Sequence, residues 1–134
     1  MAALRDVVVD CSHPASLARW WAETLDGYRV APYDEAELAR LRAAGVDDPE
    51  DDPTVLVEPD PAAGPGAAAG PRIWFQRVPE PKVVKNRVHL DLTVPDLAAG
   101  VAELVGRGAA VVAEHDGWVV LADPEGDEFC VFPA

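Results

Sequence analysis

Residues 82–108, KVVKNRVHLDLTVPDLAAGVAELVGRG, hold a strand, a tight connection and a helix in one continuous run. From Arg87 to Val94 the side chains alternate, with Val88, Leu90, Leu92 and Val94 on one side and His89, Asp91 and Thr93 on the other. That period of two predicts a half-buried strand. Pro95 suits the turn, Asp96 can cap a helix, and Leu97, Val101, Leu104 and Val105 make one apolar stripe that stops at Gly106 and Gly108. The helix is expected to pack on the aliphatic side of the strand. His89 and Asp91 then lie on the face turned away from it.

The design recurs near the N-terminus. With His89 laid over Asp6, Val7 and Val9 match Leu90 and Leu92, and Ala18 and Trp21 match Val101 and Leu104 without a gap. Each copy runs on into Gly-bounded β-like segments, so the chain reads as strand, helix and three strands, twice. The first copy starts with LRDVVVDC (4–11) and the helix PASLARWWAETL (14–25), capped by Ser12 or His13 and stopped by Gly27. Short strands follow at 28–32, 54–59 and 72–78, with a thin-striped peripheral helix at 34–45, a solvated acidic loop DDPEDDP, and a Gly- and Ala-rich connection at 59–71. That connection is expected to be the least ordered internal segment. The second copy continues with strands at 110–113, 118–122 and 128–132, the last two joined by the turn DPEGD.

Composition narrows the function. A chain of 134 residues fits a single domain, with module one over about 1–80 and module two over about 81–134. The 24 acidic against 11 basic residues leave a formal charge of −13, which repels phosphate backbones and anionic lipid, so no nucleic-acid and no membrane partner is expected. Cys11 and Cys130 sit in apolar runs without a Cys-x-x-Cys spacing and read as packed thiols of a cytoplasmic protein. No basic region followed by a long apolar core opens the chain, and no apolar run approaches a membrane span.

Two strand–helix–three-strand units, with HLDLTVPDLAAGVAELVGRG in the second and a terminal DPEGDEFCVF hairpin, resemble the vicinal oxygen chelate superfamily of glyoxalase I, bleomycin-resistance proteins and extradiol dioxygenases. The run FQRVPEPKVVKNRVHLDL (75–92) resembles the glyoxalase-like domain proteins of actinobacteria in particular. The resemblance implies an α+β fold in which two βαβββ modules form a cupped mixed sheet with the helices outside, and a ligand or metal inside. It carries the superfamily's metal positions onto Asp6, approximately Gln76, His89 and Cys130, of which His89 alone keeps the usual ligand type. An amide and a buried thiol replace hard donors poorly, so no cofactor is favoured, with a divalent metal on His89, Glu128 and Asp6 as the alternative.

The expected binding residues are Trp74 and Gln76 as aromatic wall and amide anchor, together with His89, Asp91, Glu128 and Cys130. Each has a structural reading beside it. His89 is either a pocket group or a strand histidine satisfied by a carboxylate, Glu128 either serves the cup or lies at an exposed edge, and Cys130 is a packed thiol rather than a nucleophile because no base adjoins it. The favoured function is metal-independent binding of a small organic ligand, for sequestration, resistance or an undetected lyase or isomerase step. Its alternatives are a metal-dependent lyase or dioxygenase using His89 and Glu128, perhaps with Asp6 or Asp91, and a ligand-free interaction module. A homodimer is compatible with the same motifs.

Overall fold

In the computed structural model, which describes residues 1–64 and 70–134, the chain forms two compact units, Met1–Pro81 and Lys82–Ala134. The first contains β1 (Asp6–Cys11), α1 (Pro14–Thr24), β2 (Tyr28–Val30), α2 (Glu35–Ala43), β3 (Thr54–Pro59) and β4 (Arg72–Arg77). The second contains β5 (Asp91–Val94), α3 (Leu97–Gly106), β6 (Ala110–His115), β7 (Trp118–Ala122) and β8 (Glu128–Pro133). Each unit carries one four-stranded mixed sheet, in the order β1-β4-β3-β2 and β5-β8-β7-β6. The two orders are the same once the second module is renumbered, so the sequence repeat is a repeat of topology. Part of the 59–71 connection, residues 65–69, lies outside the described residues.

In the first unit β1 pairs in parallel with β4, placing Val7 beside Ile73 and Val9 beside Phe75. Antiparallel pairing of β3 with β4 adds Val55 and Val57 to the same face. The helix α1 lies against β3 and β4. Leu17, Ala18, Trp20 and Trp21 of α1 are buried together with Val55, Val57, Ile73 and Phe75, as the three-and-four spacing required. The Trp pair is therefore core. Gly27 takes a φ of 75°, the left-handed conformation that ends the connection after α1.

In the second unit β5 runs parallel to β8 and β8 antiparallel to β7. Leu92, Phe129, Val131, Val119 and Leu121 share one face, and α3 lies against β8. Asp96 caps α3, its Oδ1 accepting from the Ala99 N–H at 2.8 Å.

Three local expectations are corrected. The strand begins at Asp91 rather than Arg87, and Val88 is 78% exposed instead of buried. The cause is the partner: β8 starts at Glu128, and the Glu128 carboxylate takes the Asn86 N–H at 3.0 Å, so the chain before His89 wraps around a side chain and has no ladder to join. The acidic run is not fully solvated, since Asp52 is 2% exposed and Glu50 grips Arg19 through two bonds of 2.7 and 2.8 Å. Strand β6 extends to His115, through a register irregularity between Val111 and Ala113.

Candidate functional site

The face of each sheet turned away from its helix is where polar side chains gather. On the first, strand alternation puts Asp6, Val8 and Asp10 beside Arg72, Trp74 and Gln76 of β4, with Leu56 opposite Trp74 and Thr54 opposite Gln76. Trp74 is half-buried there and Gln76 is exposed. A cavity of about 210 Å³ opens over this face, floored by Thr54, Leu56 and Trp74 and walled by Pro32, Tyr33 and Glu37. Of the expected binding residues, Trp74 lines it and Gln76 does not.

Sequence reading missed the wall. The Tyr33 hydroxyl donates to Asp52 Oδ2 at 2.8 Å, and the Thr54 N–H donates to Asp52 Oδ1 at 2.9 Å. Burial first, then the neighbouring Asp52 charge, pushes the Tyr33 hydroxyl well above the ordinary tyrosine range, so it stays protonated and holds a fixed donor direction. The signal available was the extended TVLVEP strand, which starts two residues after Asp52 and left that carboxylate close to the sheet.

Asp6 is already engaged. Arg72 donates to both of its oxygens at 2.9 and 3.1 Å, and Trp74 Nε1 donates at 3.3 Å. The Arg72 bonds, ahead of opposing desolvation, hold its carboxyl below the usual range. A carboxylate saturated by a guanidinium and an indole offers little to a metal.

On the second sheet the open face carries Glu128, Cys130 and Phe132 of β8, with Asp91 beside Cys130 and Val120 opposite it. His89 Nε2 and Asp91 Oδ1 are 3.2 Å apart. One donor atom each from His89, Asp91 and Cys130 falls within 4.8 Å of the others, the group of three potential metal donors found among the described residues. Cys130 is 6% exposed, and burial followed by the Asp91 carboxylate pushes its thiol up, against a smaller opposing pull from Lys85. Without a metal Cys130 is therefore a protonated thiol, in keeping with the packed-thiol reading.

Glu128 does not join this group. Lys82 Nζ lies 3.1 Å from its Oε1 and the Asn86 N–H 3.0 Å from its Oε2. These partners, the Asn86 N–H foremost, hold its carboxyl down at about 2, so it fastens the 82–86 segment to β8. Two aromatic side chains on the same face went unread: Trp118 stacks on Phe132 at 5.5 Å and on His115 at 4.0 Å. Parity was the available signal, because Phe132 lies two residues beyond Cys130.

The internal repeat gives these faces a common frame. Since β1 pairs Val8 with Trp74 and β5 pairs Asp91 with Cys130, Trp74 rather than Gln76 occupies the position equivalent to Cys130. In the same frame the Asp6 and Arg72 ion pair stands where the second module has His89 and Glu128. The first face carries an indole and an ion pair, the second a cluster of donor atoms beside a stacked aromatic pair.

A mixed-sheet fold of two βαβββ modules with polar open faces defines the glyoxalase/bleomycin resistance class. Residues 6–132 match the glyoxalase-like domain family, and the chain belongs to it. Among solved structures it is similar to a glyoxalase/bleomycin resistance protein/dioxygenase family enzyme from Burkholderia phytofirmans PsJN, at 14% identity, a TM-score of 0.63 and 98% coverage of both chains. It is also similar to the fosfomycin resistance protein FosX from Mesorhizobium loti, at 9% identity, a TM-score of 0.63, and coverage of 98% of this chain and 91% of that one. The trypanothione-dependent glyoxalase I of Leishmania major is a third, at 13% identity, a TM-score of 0.57, and coverage of 99% and 87%. No curated protein matches. Among the described residues no helix is long and apolar enough to cross a membrane.

Proposed function

We propose that this protein binds a small organic molecule in the cavity over the open face of its first sheet, and that binding there needs no metal. The observation that carries this reading is the cavity of about 210 Å³ itself, with the Trp74 ring and Leu56 as an apolar floor and Tyr33 as an oriented polar group at its wall. An aromatic floor ringed by fixed polar groups is one form a small-molecule site takes, and here those groups include the carboxylates of Asp34, Glu37 and Asp52. Neither imidazole nor thiol lines it, and the Asp52 and Glu37 carboxylates are already held by Tyr33 and Arg40. The membership in the glyoxalase-like family supports small-molecule binding in general terms. With both cysteines buried and neither in a disulfide, a cytoplasmic setting suits the chain.

The test is a thermal-shift screen with aldehydes, thiol adducts and aromatic antibiotics as probes, followed by titration of each hit against wild type, Trp74→Ala and Tyr33→Phe. Hits are expected to persist in EDTA and to weaken at least about tenfold in Trp74→Ala, roughly 1.4 kcal/mol. Affinity unchanged in both variants overturns the placement of the site. Loss of binding in EDTA overturns its metal independence, and a screen without hits favours the ligand-free interaction module.

A further inference from the structure

The cavity of the first unit is walled by charge of one sign. Asp34, Glu37 and Asp52 line it, and among the described lining residues there is no lysine, arginine or histidine. Arg40 offsets one of the three, donating to both Glu37 oxygens at 2.6 to 3.1 Å and holding that carboxyl below its usual range, so that it stays ionised. Asp34 accepts the Glu37 N–H at 2.8 Å, and Asp52 accepts from the Tyr33 hydroxyl and the Thr54 N–H. None of those three donors carries a charge to cancel a carboxylate.

We propose that the ligand of this cavity is an organic cation, an amine or ammonium group carried on an apolar body, an inference that rests on the cavity being the binding site. Hydrogen-bond direction is the first argument. The Tyr33 hydroxyl donates to Asp52, which leaves lone pairs on its oxygen for a ligand. The Trp74 Nε1–H donates to Asp6 Oδ2 at 3.3 Å, so the indole offers its ring and not its N–H. The Thr54 N–H goes to Asp52 at 2.9 Å and the Ala31 N–H to the Leu56 carbonyl at 2.8 Å. What these groups have left to offer is a π surface, phenolic lone pairs and carboxylate oxygens, all of which accept and need a donor-rich partner.

Electrostatics is the second. A tryptophan face attracts a cation better than any other side-chain ring, and one such contact changes affinity by roughly threefold to thirtyfold. The Asp6 carboxylate on the indole N–H polarises the ring toward a more negative face, and Asp52 on the Tyr33 hydroxyl makes that oxygen a better acceptor in the same way. Burial, then Asp52, keeps Tyr33 protonated well above the ordinary tyrosine range, so this pattern of acceptors holds across ordinary pH. A concave wall of one sign concentrates ions of the other, and the charge of −13 on the whole chain adds to that field. The same carboxylates repel molecules bearing carboxylate or phosphate, so selection works by exclusion as well as attraction.

Benzylammonium, benzyl alcohol and benzoate, one ring carrying positive, no and negative charge, test this. Each is titrated into the full chain while the indole N–H signals of its four tryptophans are followed by NMR, the Trp74 signal being the one missing in Trp74→Phe. Benzylammonium is expected to move the Trp74 signal and to bind at least about tenfold more tightly than benzyl alcohol, with benzoate weaker still. Sodium chloride should erode that preference. So should Asp34→Asn combined with Glu37→Gln, in which Asn keeps the helix cap. Benzyl alcohol or benzoate binding at Trp74 as tightly as benzylammonium overturns the charge selectivity and leaves the pocket standing, as does an unchanged preference in the double variant. Benzylammonium that binds without moving the Trp74 signal overturns this inference and the placement of the site together. Absence of binding by all three overturns the cation, and the thermal-shift screen then decides on the pocket alone.

Discussion

Asp127 is the residue whose charge works against the fold. Burial first and then repulsion from Asp123 push its carboxyl up to about 6 from an ordinary value of 3.8, because it sits half-buried in the turn between β7 and β8. The folded state therefore binds this proton more tightly than the unfolded chain. Its contribution is fully favourable below the unfolded value and is lost as pH rises through about 6. A shift of this size is worth at most about 3 kcal/mol, and partial exposure reduces it to about 1 kcal/mol. Asp127→Asn is expected to raise the melting temperature at pH 7 and to match wild type near pH 4, which a pH series of thermal melts would check. Glu128 has the opposite sign: held down at about 2, it stabilises above the ordinary glutamate range and loses that contribution as pH falls toward 2. Held by Asn86, it should therefore dominate the acid limb of the same series. At the cavity wall, Tyr33→Phe leaves the buried Asp52 with one partner fewer and should cost about 1 to 3 kcal/mol in a denaturant titration.

At the scale of elements, the join between β5 and α3 is tight. A Cβ on Gly100 would lie 2.8 to 2.9 Å from three side-chain atoms of Val94, and a β-branched side chain on a strand has little room to turn aside. Gly100→Ala is therefore expected to destabilise by about 1 to 3 kcal/mol, even though alanine gains about 1 kcal/mol in helix propensity. Urea unfolding of the variant would decide which term wins; a more stable protein would mean that α3 can shift away from β5. This glycine was readable in the sequence only as a weak point in a helix. Its role comes from Val94, six residues earlier, folding back beneath it.

At the scale of the whole molecule, the charge of −13 sets the response to salt. Like charges spread over a chain this small repel one another, and the exposed pairs Arg19 with Glu50 and Arg40 with Glu37 offset little of that in water. Raising the ionic strength toward about 1 M, where the screening length falls to about 3 Å, is expected to raise the melting temperature. A fall with sodium chloride would show that the ion pairs outweigh the net repulsion.

The repeat, the helix faces and the α+β architecture were legible because they rest on periods of two and of 3.6, which local chain geometry imposes on any sequence that must bury one face. Parity also put Trp74, Asp91 and Cys130 on the strand faces where the pairing register has them. What parity does not encode is which polar groups meet. Asp6 and Arg72 are 66 residues apart, Asn86 and Glu128 are 42 apart, and their pairing engages both carboxylates. The same competition ended β5 at Asp91 and exposed Val88, since a strand extends only as far as a neighbour supplies its hydrogen bonds. Tyr33 and Asp52 became a cavity wall for the like reason: they lie 19 residues apart, and only the tertiary structure brings that hydroxyl to that carboxylate.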